Sequence, residues 1–296
     1  MAVTVIKSCP VCGGEVFSDF LSCRDHFVSG ELFLIKACSG CGFKITYDAP
    51  DENTIGQYYQ SEDYISHSDT SKGLVNRLYH IAREFMSDRK RRIVEKNSRE
   101  KKGTLLDIGA GTGYFAAHMK KYGWEVSGTE ISKDARDFAQ KELGVSLFPA
   151  DELARLQKDS FEVITLWHVL EHFHNLQENI VEIKRILMPG GTLFVALPNH
   201  TSYDAIHYNN YWAAYDVPRH LWHFAPKHVK QLFEKSGFSL VKIYRMPLDS
   251  FYISMMSEKY KKSGISVIKG IFYGGISWLT AIRNKGRCSS LIYIFR

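Results

Sequence analysis

Residue type and spacing write two kinds of chemistry into this chain. Four cysteines fall in two C-x-x-C pairs, Cys9 with Cys12 and Cys38 with Cys41, each followed by glycine. The two-residue gap lets both thiolates of a pair reach one metal ion, and the glycine permits the turn that aims backbone amides at sulfur. Four thiolates fill a tetrahedral Zn2+ site and leave no position for water or substrate, so the expected zinc is structural. Further along, Thr104 to Tyr114 reads TLLDIGAGTGY, an apolar strand running into Gly109, Gly111 and Gly113 and then into a helix of about Tyr114 to Lys121. Without a Cβ, the glycines let a ligand lie against amides at the helix N-terminus. Glu130 ends the next strand (Trp124 to Thr129), where an acid typically accepts hydrogen bonds from ribose hydroxyls. Loop and acid together predict a nucleoside site.

A dinucleotide fingerprint would place its third glycine at Tyr114; the chain offers G-x-G-x-G instead. With Asp107 two residues before the first glycine, this pattern resembles motif I of the class I S-adenosylmethionine (SAM) dependent methyltransferases. The resemblance runs in order from Lys102 to Met246. It implies an α/β, Rossmann-like sheet and a cofactor site at the matching positions. These are Asp107, Gly109, Ala110, Gly111, Gly113 and Tyr114 in the loop, Glu130 and Ile131 at the ribose, and Asp151 and Glu152 at the adenine. Leu166, Trp167 and His168 would line the reaction centre. In RILMPGGTLFVALPN a helix is expected to end at Met188, Pro189 and Gly190 to turn, and Gly191 to enter strand five. SSLIYIFR reads as the last, antiparallel strand.

These sites need elements to hold them. Residues 1–50 read as a zinc ribbon with strands at Glu15 to Leu21, Leu32 to Lys36 and Phe43 to Tyr47. About 50 residues bury too little to fold alone, so the metal would supply stability. Cys23 and His26 are a rival to the second cysteine pair; with Cys38 and Cys41 preferred, Cys23 and Cys288 are free thiols. Residues 51–102 form a connector and a basic cap helix. The connector resembles the segment that folds over the pocket in bacterial zinc-ribbon methyltransferases, which nominates Tyr58, Tyr59, Tyr64 and His67, with Tyr58 and Tyr64 at the cofactor. The alternative is that these rings dock the ribbon on the core. A helix from Asn76 to Lys102 carries ten Lys or Arg against four acids, read as a solvated face. The core occupies 103–296, with a helical insertion at 248–288. There Ile265, Ile268, Phe272, Ile276 and Leu279 recur at helical spacing amid a net charge of +5, from seven Lys or Arg less two acids over 249–287. Two readings stand: a hairpin packed on the core or on a second copy, or an interfacial helix meeting a membrane or lipid-linked acceptor.

His168-Val-Leu-Glu171-His172 fits the H-x-x-E-H of zinc peptidases, but it begins where strand four (Val163 to Leu166) ends, so it is read as part of the methyltransferase site. After strand five comes a segment crowded with aromatic rings and histidines, where the carboxyl edge of such sheets forms acceptor pockets. Its D-x-P-R-H-x-x-H-F run resembles one in related bacterial methyltransferases and marks Asp216, Arg219, His220 and His223 as acceptor-side candidates. His220, His223 and His168 are the catalytic candidates; each could instead pin its loop through hydrogen bonds.

At 296 residues and a formal net charge of +6, the chain has the composition of a soluble globular protein with one large core and a small satellite. No secretory signal opens it, so the expected location is the cytoplasm, with peripheral contact at the inner face of the membrane if the interfacial helix acts. The expected reaction is methyl transfer from SAM to a small-molecule acceptor such as a sugar, a lipid-linked glycan or a specialised metabolite. Oligomers are compatible with the sequence, and no specific nucleic-acid partner is expected. RNA methylation and a non-catalytic zinc-ribbon scaffold are the rival functions.

Overall fold

The computed structural model describes residues 2–59, 74–99 and 101–296. Its centre is a seven-stranded sheet built from β4 (Thr104–Ile108), β5 (Glu125–Thr129), β6 (Leu147–Phe148), β7 (Phe161–Trp167), β8 (Leu187–Pro198), β10 (Leu240–Arg245) and β11 (Ser290–Phe295). The strand order is β10-β11-β8-β7-β4-β5-β6. β6, β5, β4, β7 and β8 run parallel, and β11 inserts antiparallel beside β8 with Leu291 opposite Leu197. Parallel strands buried on both faces need near-continuous apolar runs. Leu193 to Leu197 of β8 supplies one, and the antiparallel β11, covered on both faces as well, matches it with Leu291 to Phe295.

Helices α1 (Leu74–Asn97), α2 (Tyr114–Lys121), α3 (Lys133–Leu143), α4 (Leu176–Ile186) and α6 (Pro226–Lys235) accompany this sheet, with a short α5 (Tyr203–Tyr208) after β8. α3 shows how local sequence sets its limits. Ser132 caps its start by accepting the Ala135 N–H, and Gly144 ends it in the left-handed region at φ 63°. α4 stops at Ile186, two residues before the expected end, because Leu187 already pairs with Phe161. Pro189 and Gly190, with Gly190 at φ 78°, form an irregularity inside β8.

The cysteine-rich segment forms a second sheet from β1 (Phe17–Arg24), β2 (Leu32–Cys38) and β3 (Lys44–Tyr47). β1 begins two residues later than expected and runs three further, to Arg24. A fourth strand, β9 (Trp222–His223), comes from the histidine-rich segment and pairs with Lys44 and Ile45. The ribbon is therefore stitched into the core. Arg219 reinforces the seam: its buried guanidinium donates to Asp25 at 3.0 Å, to Asp216 at 2.6 Å and to the Tyr58 carbonyl at 2.8 Å.

The insertion between β10 and β11 is a hairpin of α7 (Asp249–Tyr260) and α8 (Ser266–Arg283). Its helices touch backbone to backbone. A Cβ on Gly270 would stand 2.5 Å from the Met255 Cα, and one on Gly274 2.7 Å from the Phe251 Cα. The buried Asp204 carboxylate fixes the hairpin to the core by accepting Ser277 Oγ, Ser289 Oγ and Trp212 Nε1 at 2.6–2.7 Å. The outer face of α8 stays exposed at Ile268, Ile271, Phe272, Leu279 and Ile282. Among the described residues, no helix is long and apolar enough to cross a membrane.

Candidate cofactor and acceptor site

The glycine loop leaves β4 with Gly109, Gly111 and Gly113 at φ 66°, 56° and 78°, a region that favours glycine. Their surroundings differ. A Cβ on Gly109 would lie 2.5 Å from Val169 Cγ2, and one on Gly113 2.9 Å from the Ala139 Cβ. One on Gly111 would meet nothing within 4 Å. The loop is thus packed tight at both ends and open in the middle, where a ligand can approach the backbone. Glu130 stands beside that opening. The Gly111 N–H donates to its Oε2 and the Ser132 N–H to its Oε1, each at 2.9 Å, so the carboxylate is fixed with lone pairs to spare. A ribose diol can donate both hydroxyls to these acceptors, and the residues present fit SAM.

Beneath the loop, Asp107 is buried and accepts the Thr165 hydroxyl at 2.6 Å. Burial pushes its carboxyl up to about 7, against that hydrogen bond and the charge of Lys90. Lys90 comes from α1 and lies 4.5 Å over the Trp167 ring, with burial pulling its own pKa down. Part of the basic helix expected to be solvated therefore covers the cofactor side. Ile93 and Val94 of the same helix enter the core, while Arg91 stays in a partly exposed ion-pair set between Asp88 and Glu95.

Past the end of β7 the chain turns sharply, with His168 in the left-handed region at φ 60°. Its ring lies between two acids: Nε2 is 3.2 Å from Asp249 and Nδ1 is 3.6 Å from Glu171. Burial lowers its pKa, but the two carboxylates more than reverse this and raise it to about 9. The two carboxylates thus favour the protonated ring of His168, which suits an electrostatic or positioning role at the end of β7 better than proton abstraction. Next come Glu171 and His172, in a single turn of 3-10 helix, and His220 from the histidine-rich segment. The His172 and His220 rings meet edge to face at 4.6 Å. His220 Nε2 is 4.0 Å from Glu171 and 3.9 Å from Asp216. Tyr59 reaches the same cluster, its hydroxyl 2.9 Å from His172 Nδ1.

Other expected site residues lie elsewhere. His223 is buried in β9 with Nε2 on the Thr46 hydroxyl at 3.0 Å, and burial drives its pKa well below normal, so it serves the ribbon sheet rather than catalysis. Tyr58 is buried against Phe33 and donates to Glu31 at 2.6 Å; it docks the ribbon instead of meeting the cofactor. Arg219 is spent on the seam. Leu166 points into the core, whereas Trp167 packs edge-on against Phe115. Ala110 binds back to the Thr129 carbonyl, and Tyr114 opens α2 with Phe138 beside it and Arg83 over its ring at 3.4 Å. Ile131 is largely exposed beside Glu130. Asp151 is exposed and Glu152 pairs with Arg155, both in the short helical turn after β6. Tyr64 and His67 lie outside the described residues. Sequence reasoning missed Lys90 and Asp249, one hidden in a charge run and the other without a motif. A separate cavity of about 460 Å3 opens between residues 4–10 and 174–178, and its lining includes none of the glycine loop.

The four ribbon cysteines converge as spacing predicts. Cys9 and Cys41 Sγ are 3.6 Å apart, Cys12 and Cys38 Sγ 3.4 Å, and all four lie within 4.8 Å of one another. Tetrahedral zinc with Zn–S bonds of about 2.3 Å requires sulfurs about 3.8 Å apart, so the set fits. Cys23 is buried in a different cluster, which removes the rival ligand set.

Sequence comparison matches residues 78–243, more than half of the chain, to the family described as "Methyltransferase domain". Among curated proteins, the chain is 28% identical over 153 residues to ubiquinone biosynthesis O-methyltransferase of Coxiella burnetii, covering 47% of this chain and 64% of that one. It is 31% identical over 102 residues to the enzyme of the same name from Paraburkholderia phymatum, covering 32% and 44%. The chain thus spans under two thirds of these relatives. Among solved structures, a SAM dependent methyltransferase from Archaeoglobus fulgidus superposes with TM-score 0.50 at 21% identity, covering 72% of this chain and 93% of that one. The 4+2 cyclase SpnF superposes equally, with TM-score 0.50 at 18% identity over 71% and 80%. Likeness at such identity shows the fold alone. Strand order, glycine loop and family match agree, and the chain belongs to the methyltransferase-domain family in its class I, SAM-dependent form.

Proposed function

We propose that this protein transfers the methyl group of SAM to a hydroxyl of a small, lipid-borne acceptor. One observation carries the reading: an open glycine loop and a fixed Glu130 stand at the same sheet edge as the buried Glu171 and His220 and the half-buried His172. When bound, SAM supplies an electrophilic methyl on a good leaving group, so the protein's tasks are in-line positioning and exclusion of water. Gly111 and Glu130 hold the nucleoside, and the Glu171, His172 and His220 cluster orients the hydroxyl. The four ribbon cysteines hold a structural Zn2+. The O-methyltransferase names of the curated relatives support a hydroxyl as nucleophile. The exposed apolar face of α8, beside Lys261, Lys262, Lys269 and Arg283, supports an acceptor met at an anionic leaflet, the inner face of the membrane.

The test has two stages. Calorimetry of SAM with the zinc-loaded protein is expected to give micromolar binding that weakens in Asp107→Ala and Glu130→Ala; absence of binding to wild type sinks the reading. Labelled SAM is then supplied with a bacterial lipid extract and with its aqueous counterpart. Label in the lipid phase alone supports a lipid-borne acceptor, and label only in the aqueous phase overturns that part.

A further inference from the structure

Glu171, His172 and His220 each offer one ligand atom, and the three atoms lie within 4.8 Å of one another. Glu171 is 1% exposed, yet neither of its carboxylate oxygens has a hydrogen-bond partner. His168 at 3.6 Å and His220 at 4.0 Å stand just beyond that reach. The charge of His168 offsets part of the cost of burying this carboxylate, but with no hydrogen bond made its oxygens keep their lone pairs for a further ligand. The imidazoles are arranged to share an ion with this carboxylate. His172 Nδ1 lies 3.1 Å from the Arg219 carbonyl and 2.9 Å from the Tyr59 hydroxyl, and His220 Nδ1 lies 3.0 Å from the Ala214 carbonyl. A carbonyl only accepts, so Nδ1 carries the hydrogen in both rings and Nε2 keeps the lone pair. Donation of the other ring N–H to a backbone carbonyl is how proteins orient imidazole ligands.

We infer that Glu171, His172 and His220 form a second metal site, distinct from the ribbon cysteines, for a divalent cation that accepts one carboxylate and two imidazoles. Such a donor set suits Zn2+, Co2+, Mn2+ or Fe2+ and leaves coordination positions open to an oxygen donor. That this donor is the acceptor's hydroxyl rests on the methyl-transfer reading; binding of the ion does not.

The probe is Co2+ added to full-length protein whose ribbon is loaded with zinc. One Co2+ per chain is expected to bind without releasing zinc, with weak visible bands and no thiolate charge-transfer absorption. Glu171→Gln and His220→Ala should each weaken it about tenfold or more while zinc content and the circular dichroism spectrum stay unchanged. Because Glu171→Gln keeps the side-chain volume, a folding defect in His220→Ala leaves the test intact. Cobalt that enters only by displacing ribbon zinc, or that binds both variants as tightly as wild type, overturns the site. SAM calorimetry on the same samples separates the two readings: cobalt bound without SAM affinity refutes methyl transfer and leaves the cation site standing.

Discussion

Substituting Gly109 by alanine perturbs the loop in two separable ways. At φ 66° an L-residue pays about 1–2 kcal/mol for the left-handed backbone. The new Cβ also lies 2.5 Å from Val169 Cγ2 and 2.8 Å from Cγ1, an overlap that costs about 1–3 kcal/mol to relieve. Gly109→Ala should therefore destabilise by about 2–5 kcal/mol, a fall in Tm on the order of 10 °C for a chain of this size. Gly111→Ala supplies the control. Its φ of 56° carries the same backbone cost, but its Cβ meets nothing, so only about 1–2 kcal/mol is expected. Val169→Ala removes both overlapping methyls, so the double variant should recover about 1–3 kcal/mol relative to the sum of the singles. Urea unfolding reads each corner of the cycle, and SAM calorimetry reads the loop itself. Strictly additive changes, or a Gly111→Ala as damaging to stability as Gly109→Ala, would refute the packing argument.

Asp107 binds more protons folded than unfolded between its ordinary pKa near 4 and its buried value of about 7, so it lowers stability as pH rises through that window. Asp107→Asn should gain on wild type from pH 4 to pH 7, by up to about 4 kcal/mol, and urea melts showing a pH-independent difference would contradict this. Arg219→Met leaves Asp25 and Asp216 without their shared cation and should cost about 3–5 kcal/mol in chemical denaturation. Cys12→Ser should abolish zinc uptake at the ribbon, read by atomic emission as one zinc fewer per chain than wild type, and strand β9 should lose its protection from hydrogen exchange together with the ribbon.

The sheet and the cysteine cluster were legible because each depends on local pattern. TLLDIGAGTGY sets strand, loop and helix within eleven positions, and each C-x-x-C turn places its own two sulfurs. The candidate acceptor site was only half legible. His220 and Glu171 stand out as residue types, but their approach depends on the chain folding back from the turn after β7 to the histidine-rich segment. His223, three residues on, looks the same in sequence and faces the other way, into a strand pairing that joins distant segments. Lys90 was hidden for a related reason: among the seven Lys or Arg of α1, tertiary packing alone decides which one is covered. Tyr58 carries a ring suited to a pocket, and the partner that claims it, Glu31, lies 27 positions away.

The pairing of β3 with β9 also constrains how the chain is made. Thr46 and His223 meet across 177 positions and Asp25 and Arg219 across 194, so the ribbon emerges from the ribosome long before its fourth strand exists. At about 5–20 residues per second, that interval lasts on the order of ten seconds or more. During it the edge of β3 is unpaired and Asp25 lacks its cation. Loading the four thiolates with metal early would hold the nascent ribbon together through this wait, making zinc supply during synthesis a determinant of yield of the whole enzyme.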